Sequence, residues 1–132
     1  LSTFTASATS ITASSGSSSS ILTITARNTD NQLVSGALVS ITSSGSNNNF
    51  TASGVTNASG IFTTSFSSTL AEAKNLSVTI GQTVLSQQHT ITVNPGAAAK
   101  TVITSGTPFA LNNSGNWTAG PSFSVRLADS FD

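Results

Sequence analysis

Apolar and polar residues alternate with a period of two through most of the chain from Ile21 to Val93, and polar clusters interrupt the alternation at short intervals. Leu22, Ile24 and Ala26 alternate with Thr23, Thr25 and Arg27, so one face of a strand is apolar and the other polar. After the polar turn Asn28-Thr29-Asp30-Asn31-Gln32, a second strand over residues 36–41 carries Val39 and Ile41 inward and Leu38 outward or at an edge. The turn Thr56-Asn57-Ala58-Ser59-Gly60 opens a strand over residues 61–67, with Phe62 and Phe66 flanking Thr64 in one register. Asn and Asp suit such turns because their side chains bond nearby backbone, while Gly36 and Gly60 allow positive φ. Leu76, Val78 and Ile80 define another strand up to Gly81, and Leu85, Ile91 and Val93 share a register in a strand over residues 83–93.

Weaker signals complete the set. Residues 3–11 alternate loosely and predict a first strand at a sheet edge. Residues 14–20 are a low-complexity run, read as a flexible surface turn. Residues 43–49 form a loop, and residues 50–53 predict a short strand. Leu70-Ala71-Glu72-Ala73-Lys74 is the only locally helix-favouring run; it is too short for an autonomous helix and predicts a crossover with one helical turn. Seven short strands at this spacing predict an all-β, antiparallel β-sandwich over residues 1–96.

Asn94-Pro95-Gly96 ends that unit, because Pro cannot continue a central strand and Gly relaxes the backbone. Residues 97–132 then restart the pattern. Phe123-Ser124-Val125-Arg126-Leu127 matches Leu22-Thr23-Ile24-Thr25-Ala26, and residues 129–132 stand where residues 28–31 stood. The expectation is a second, similar repeat cut after its second strand, completed by further chain or by a neighbouring subunit, since two strands alone bury no core. Leu1 is read as the start of a processed form or of an excerpt.

Ser and Thr make up roughly a third of the residues, a composition compatible with disorder. The alternating aliphatic residues argue for a folded core instead. Four basic and four acidic side chains cancel, without a like-charged run, which excludes the electrostatic footprint of a nucleic-acid or anionic-lipid binder. No apolar run reaches the length of a membrane span, so no membrane insertion is expected within this segment. The chain has no Cys and no Met, so neither a disulfide framework nor a thiolate metal site is available.

Candidate chemistry is sparse. His89 is the single histidine and shares the register of Leu85 and Ile91, which favours a half-buried strand position over a catalytic one. Glu72 is the sole glutamate, and neither a nucleophile elbow nor a phosphate loop is present. Asp129 and Asp132 are oxygen donors in a turn without a ligand-dense loop, so no metal or cofactor is expected. Asn-x-Ser/Thr sequons occur at Asn49, Asn57, Asn75, Asn112 and Asn116, close to the roughly four that composition alone produces. Two features suit partner contact: Trp117, the only tryptophan, and the loop residues Asn47, Asn48 and Asn49. Packing at a repeat junction is the other reading of Trp117. Asn94, Pro95 and Gly96 are the expected inter-domain joint.

Three segments together resemble the bacterial Ig-like domains of group 1, the invasin and intimin type. These are the turn at Asp30 leading to Val34-x-Gly36-x-x-Val39-x-Ile41, then Thr56-Asn57-Ala58-Ser59-Gly60, and Leu76-Ser77-Val78-Thr79-Ile80-Gly81. The first turn lacks the family's Gly, and the second begins with Asn57 in place of Asp. The resemblance implies an Ig-like sandwich followed by the first strands of a second one. It also implies a non-enzymatic stalk or spacer module of an extracellular or cell-surface adhesin or filament. Its partners would be neighbouring Ig-like repeats or identical subunits. The alternative implied is a carbohydrate- or protein-binding module of an adhesin or of a virion surface, meeting a host glycan or surface protein.

Overall fold

The computed structural model describes residues 1–98, the strands at residues 100–105 and 124–128, and residues 129–131. The chain divides into two compact units, Leu1–Pro95 and Gly96–Asp132. No helix occurs among the described residues.

The first unit is a sandwich of two sheets. One has the order β1 (Thr3–Ala6), β3 (Ser20–Thr25), β7 (Ile61–Ser68), β5 (Asn48–Asn49), with every neighbour antiparallel. The other has the order β2 (Ser10–Thr12), β9 (Thr83–Asn94), β8 (Ala73–Ile80), β4 (Leu38–Ser43), β6 (Ser53–Val55). Here only the β2–β9 pair is parallel. The alternation expected of β3, β4, β7, β8 and β9 fills the space between the sheets. Phe4, Leu22, Ile24, Val39, Ile41, Phe66, Leu76, Val78, Ile91 and Val93 are buried in one cluster. Phe50 joins it from the side, its ring 5.4 Å from that of Phe66.

The first strand departs from expectation. It is broken: β1 pairs with β3 in one sheet, and β2 crosses to pair with β9 in the other. The break is stabilised by small hydroxyl residues. Ser20, fully buried, donates from Oγ to the Ala8 carbonyl at 2.8 Å and accepts the Ala8 N–H at 3.0 Å. Ser7 Oγ accepts the Ile21 N–H at 2.8 Å. Backbone groups that leave one ladder before joining the next are thereby satisfied.

A second crossing replaces the strand expected at residues 50–53. Asn48–Asn49 pairs with β7, Ser53–Val55 pairs with β4, and the residues between them bridge the sheets. There the Thr51 N–H donates to Thr64 Oγ1 at 2.9 Å, and the Ile41 N–H to the Ala52 carbonyl at 2.7 Å. The helical turn expected around residue 72 is absent, and Ala73 already belongs to β8, opposite Thr92. A ladder with β9 outweighs the preference of five helix-favouring residues, which cannot nucleate a helix.

The turns follow the sequence closely. Asn28 Oδ1 accepts the N–H groups of Asp30 and Gln32 at 3.0 and 2.9 Å. Asn57 Oδ1 does the same for Ser59 and Ile61 at 2.9 and 3.0 Å. Gly60 has φ +69°, a conformation that strains any other residue, and a Cβ there would also crowd the Val34 nitrogen at 3.0 Å and the Ala26 carbonyl oxygen at 3.1 Å.

In the second unit, β10 (Lys100–Ser105) pairs antiparallel with β11 (Ser124–Ala128), as β1 does with β3. Asp129 Oδ1 accepts the Phe131 N–H at 2.9 Å, the bond that Asn28 makes to Asp30 after the strand matched to β11.

Phe66 fills the centre of the cluster with no exposure. Phe66→Ala is expected to lower unfolding free energy by about 3–5 kcal/mol, the usual cost of an aromatic cavity, read from the midpoint of urea denaturation at unchanged slope.

Candidate functional site: the loops around the chain exit

The strand directions place the two ends of the first unit at opposite poles. Leu1 lies beside the turn after β3, its N-terminal amine 2.9 Å from Asn31 Oδ1, and Ser2 Oγ accepts the Arg27 N–H at 2.8 Å. β2, β4, β7 and β9 all end at the other pole, where the loops 13–19, 44–47 and 69–72 meet the exit at Asn94.

These loops are bonded to one another. Ser14, buried, is the hub of the serine-rich run: its Oγ donates to the Ser18 carbonyl at 3.0 Å and accepts the Ser18 N–H at 2.9 Å. The Ser14 N–H donates to the Ser68 carbonyl at 2.9 Å, and the Ala13 N–H to the Asn94 carbonyl at 2.8 Å. The run expected to be a flexible turn is a turn, and a hydrogen-bonded one.

Lys74 is the feature that sequence reading missed. Its side chain is 0% exposed, in the inward register of Leu76 and Val78. The butyl stem runs along the core, and the ammonium reaches the pole, where it donates to the Ser46 carbonyl at 2.7 Å and pairs with the Glu72 carboxylate. Glu72 also accepts the Ser46 N–H at 3.3 Å. Gly45 has φ +71° and passes so close that a Cβ would strike the Glu72 carboxylate and the Lys74 ammonium. The Lys74 hydrogen bond, followed by the Ser46 N–H, holds the Glu72 carboxyl below its ordinary range against an opposing desolvation. The signal was present: Lys74 shares parity with Leu76, Val78 and Ile80, with a glutamate two residues before it.

The three asparagines of the loop divide. Asn47 adopts φ +58°, and its carbonyl accepts the Thr69 N–H at 3.2 Å. Asn48 turns inward, donating from Nδ2 to Ser43 Oγ and the Ser44 carbonyl at 3.3 and 3.1 Å. Its Oδ1 is buried without a hydrogen-bond partner. Asn47 and Asn49 are exposed and available to a partner; Asn48 is committed to the loop. Trp117, Asn112, Asn116 and Asp132 lie outside the described residues.

At the expected joint, Asn94 is anchored in the first unit: its Nδ2 donates to Ser10 Oγ at 2.7 Å. Gly96 is anchored in the second, donating its N–H to Asp129 Oδ2 at 2.7 Å. Pro95, exposed, separates them.

His89 is half-buried in β9, as its register implied. Its Nε2 lies 2.9 Å from the Phe4 carbonyl, and its ring meets that of Phe4 edge-on at 4.8 Å. Among the described residues, no group of three or more His, Cys, Asp or Glu side chains could hold a metal ion. An open groove of about 620 Å³ lies at the entry pole, between Leu1, Arg27, Asn28 and residues 83–87; Arg27 there donates from Nη1 to the Asn31 carbonyl at 2.7 Å.

The family model described as bacterial Ig-like domain (group 1) matches residues 1–94. The adhesin InvE of Yersinia pseudotuberculosis superposes with a TM-score of 0.60 at 31% identity, over 80% of this chain and 30% of that one. Invasin, a bacterial integrin-binding protein, superposes with a TM-score of 0.63 at 20% identity, over 90% and 28%. The D00–D0 domains of intimin give 0.60 at 20% identity, over 69% and 45%. The chain thus spans less than half the length of each of these structures. None of the curated proteins matches it.

Because the folded carboxyl of Glu72 is held low, its contribution to the loop is present at neutral pH and disappears as the pH falls through and below the ordinary glutamate range. Amide hydrogen exchange at Ser46, corrected for its intrinsic pH dependence, is expected to accelerate on that acid side. Glu72→Gln should remove this pH dependence.

Proposed function

Since the chain belongs to the bacterial Ig-like domains of group 1, we propose that it is a non-enzymatic structural module of an adhesin-type protein, repeated as a stalk or spacer outside the cell or on its surface. The observation that carries this reading is the placement of chain entry and exit at opposite poles of the first sandwich. Modules of that kind joined in tandem extend in a line instead of folding back, which holds a binding tip away from a surface. The second unit supports tandem repetition, because its strand pair and the turn bond of Asp129 repeat those of β1, β3 and Asn28. Asn94, Pro95 and Gly96 are then the joint between modules. The partner of the whole protein is then a host surface protein, a reading suggested by the likeness to invasin, a bacterial integrin-binding protein. Asn47 and Asn49, exposed at the exit pole, favour a second reading in which the module itself touches a protein or glycan.

Intact mass of the native protein, together with electron microscopy of its assembled form, tests the proposal. The expected result is a mass well above that of these residues and a linear row of similar beads. A mass close to that of these residues, with no row of beads, would overturn the tandem stalk.

A further inference from the structure

We infer that the first sandwich is built to carry tension along its long axis, and that the resistance resides in the grip of β9 on the broken first strand. This rests on the spacer reading only in that a spacer is loaded through its ends.

The argument starts from direction. Leu1 is at one pole and Asn94 at the other, and β1, β2 and β9 all run from the first pole toward the second. Pulling on the ends therefore drags the first strand back toward the entry pole and β9 toward the exit pole. The two are neighbours and parallel, with Ser10, Ile11 and Thr12 opposite Thr92, Val93 and Asn94. The load then acts along the strands, across their hydrogen bonds, so the bonds yield together. An antiparallel hairpin pulled at its open ends opens one pair at a time, since its ladder bonds lie along the load.

Two zones make the grip. In the parallel zone, the Thr92 N–H donates to the Thr9 carbonyl at 2.9 Å and the Ala13 N–H to the Asn94 carbonyl at 2.8 Å. Asn94 Nδ2 adds a side-chain bond to Ser10 Oγ at 2.7 Å. Ile11 and Val93 bury the inner side of this zone and keep water from it. In the second zone, β9 reaches across to the free edge of β1 and takes both polar groups of one residue: Gln87 Oε1 accepts the Phe4 N–H at 3.0 Å, and His89 Nε2 bonds the Phe4 carbonyl at 2.9 Å. Phe4 itself is fully buried, so sliding the strand also withdraws a core ring. This assigns Gln87, His89 and Asn94 a shared role that no catalytic or ligand reading gives them.

The chain has no cysteine, so Leu1→Cys with Ala97→Cys gives unique handles across the first unit for single-molecule force spectroscopy of the full chain. Gln87→Ala and Asn94→Ala are each expected to raise the unfolding rate under end-to-end load about fivefold, the effect of one net hydrogen bond lost before the barrier. Asn57→Ala, which loosens a turn outside the grip, should leave that rate unchanged while lowering stability in urea. Handles at Ser59→Cys and Gln82→Cys, both at the entry pole, load the sheets apart; unfolding there should need less force and ignore Gln87→Ala. The inference is overturned if Gln87→Ala and Asn94→Ala leave the end-to-end rate as it was, or if Asn57→Ala raises it equally. A strong grip in a protein without a row of beads would refute the stalk and leave the load-bearing fold standing.

Discussion

The two sheets of the first unit share one segment of chain, and the remainder of the architecture depends on that sharing. Phe4 enters the core from one sheet and Ile11 from the other, although only a few residues separate them. Closing a sandwich leaves edge strands whose unpaired groups invite other chains. Here β2 covers the edge of β9, and the outer edge of β1 is occupied at Phe4 by the side chains of Gln87 and His89. Hydrogen bonding at this seam protects the fold and couples its two layers.

The exit pole shows the same economy with a charge. A fully buried lysine is tolerated because its stem packs as an aliphatic chain while its ammonium meets a carboxylate and a carbonyl at the rim. The Glu72 side chain is itself 38% exposed, so solvent screens its part of the pair, and the arrangement orders the loop more than it stabilises the core. Gly45 belongs to the same device, since any side chain there would occupy the space of the ion pair. The loop carrying Asn47 and Asn49 is thus positioned by residues in a neighbouring strand, a relation that local sequence does not announce.

Much of the fold was legible in the chain. The inward apolar residues of β3, β4, β7, β8 and β9 are those the alternation named, and the turns at Asn28 and Asn57 are built by the side chains expected to build them. A trace of the broken first strand was legible as well: Phe4, Ala6 and Ala8 keep one parity, while Ile11 and Ala13 keep the other. A change of parity reverses which face points inward, as happens when a strand passes from one sheet to the sheet opposite. Of the candidate site, the inward register of Lys74 could be read from its parity with Leu76 and Val78, whereas the roles of Gln87 and Asn48 were not readable.

By itself the sequence determined that the chain is all-β, which faces of its strands are apolar, and where it turns, because period-two alternation and Asx-type turns depend on near neighbours. The tertiary structure decided which sheet each strand joins, how deep Lys74 lies, and what Gln87 and His89 hold. Every strand edge offers the same N–H and C=O groups, so local sequence cannot choose among partners far along the chain. That choice falls to the packing of the shared core, which exists only once the two sheets face each other.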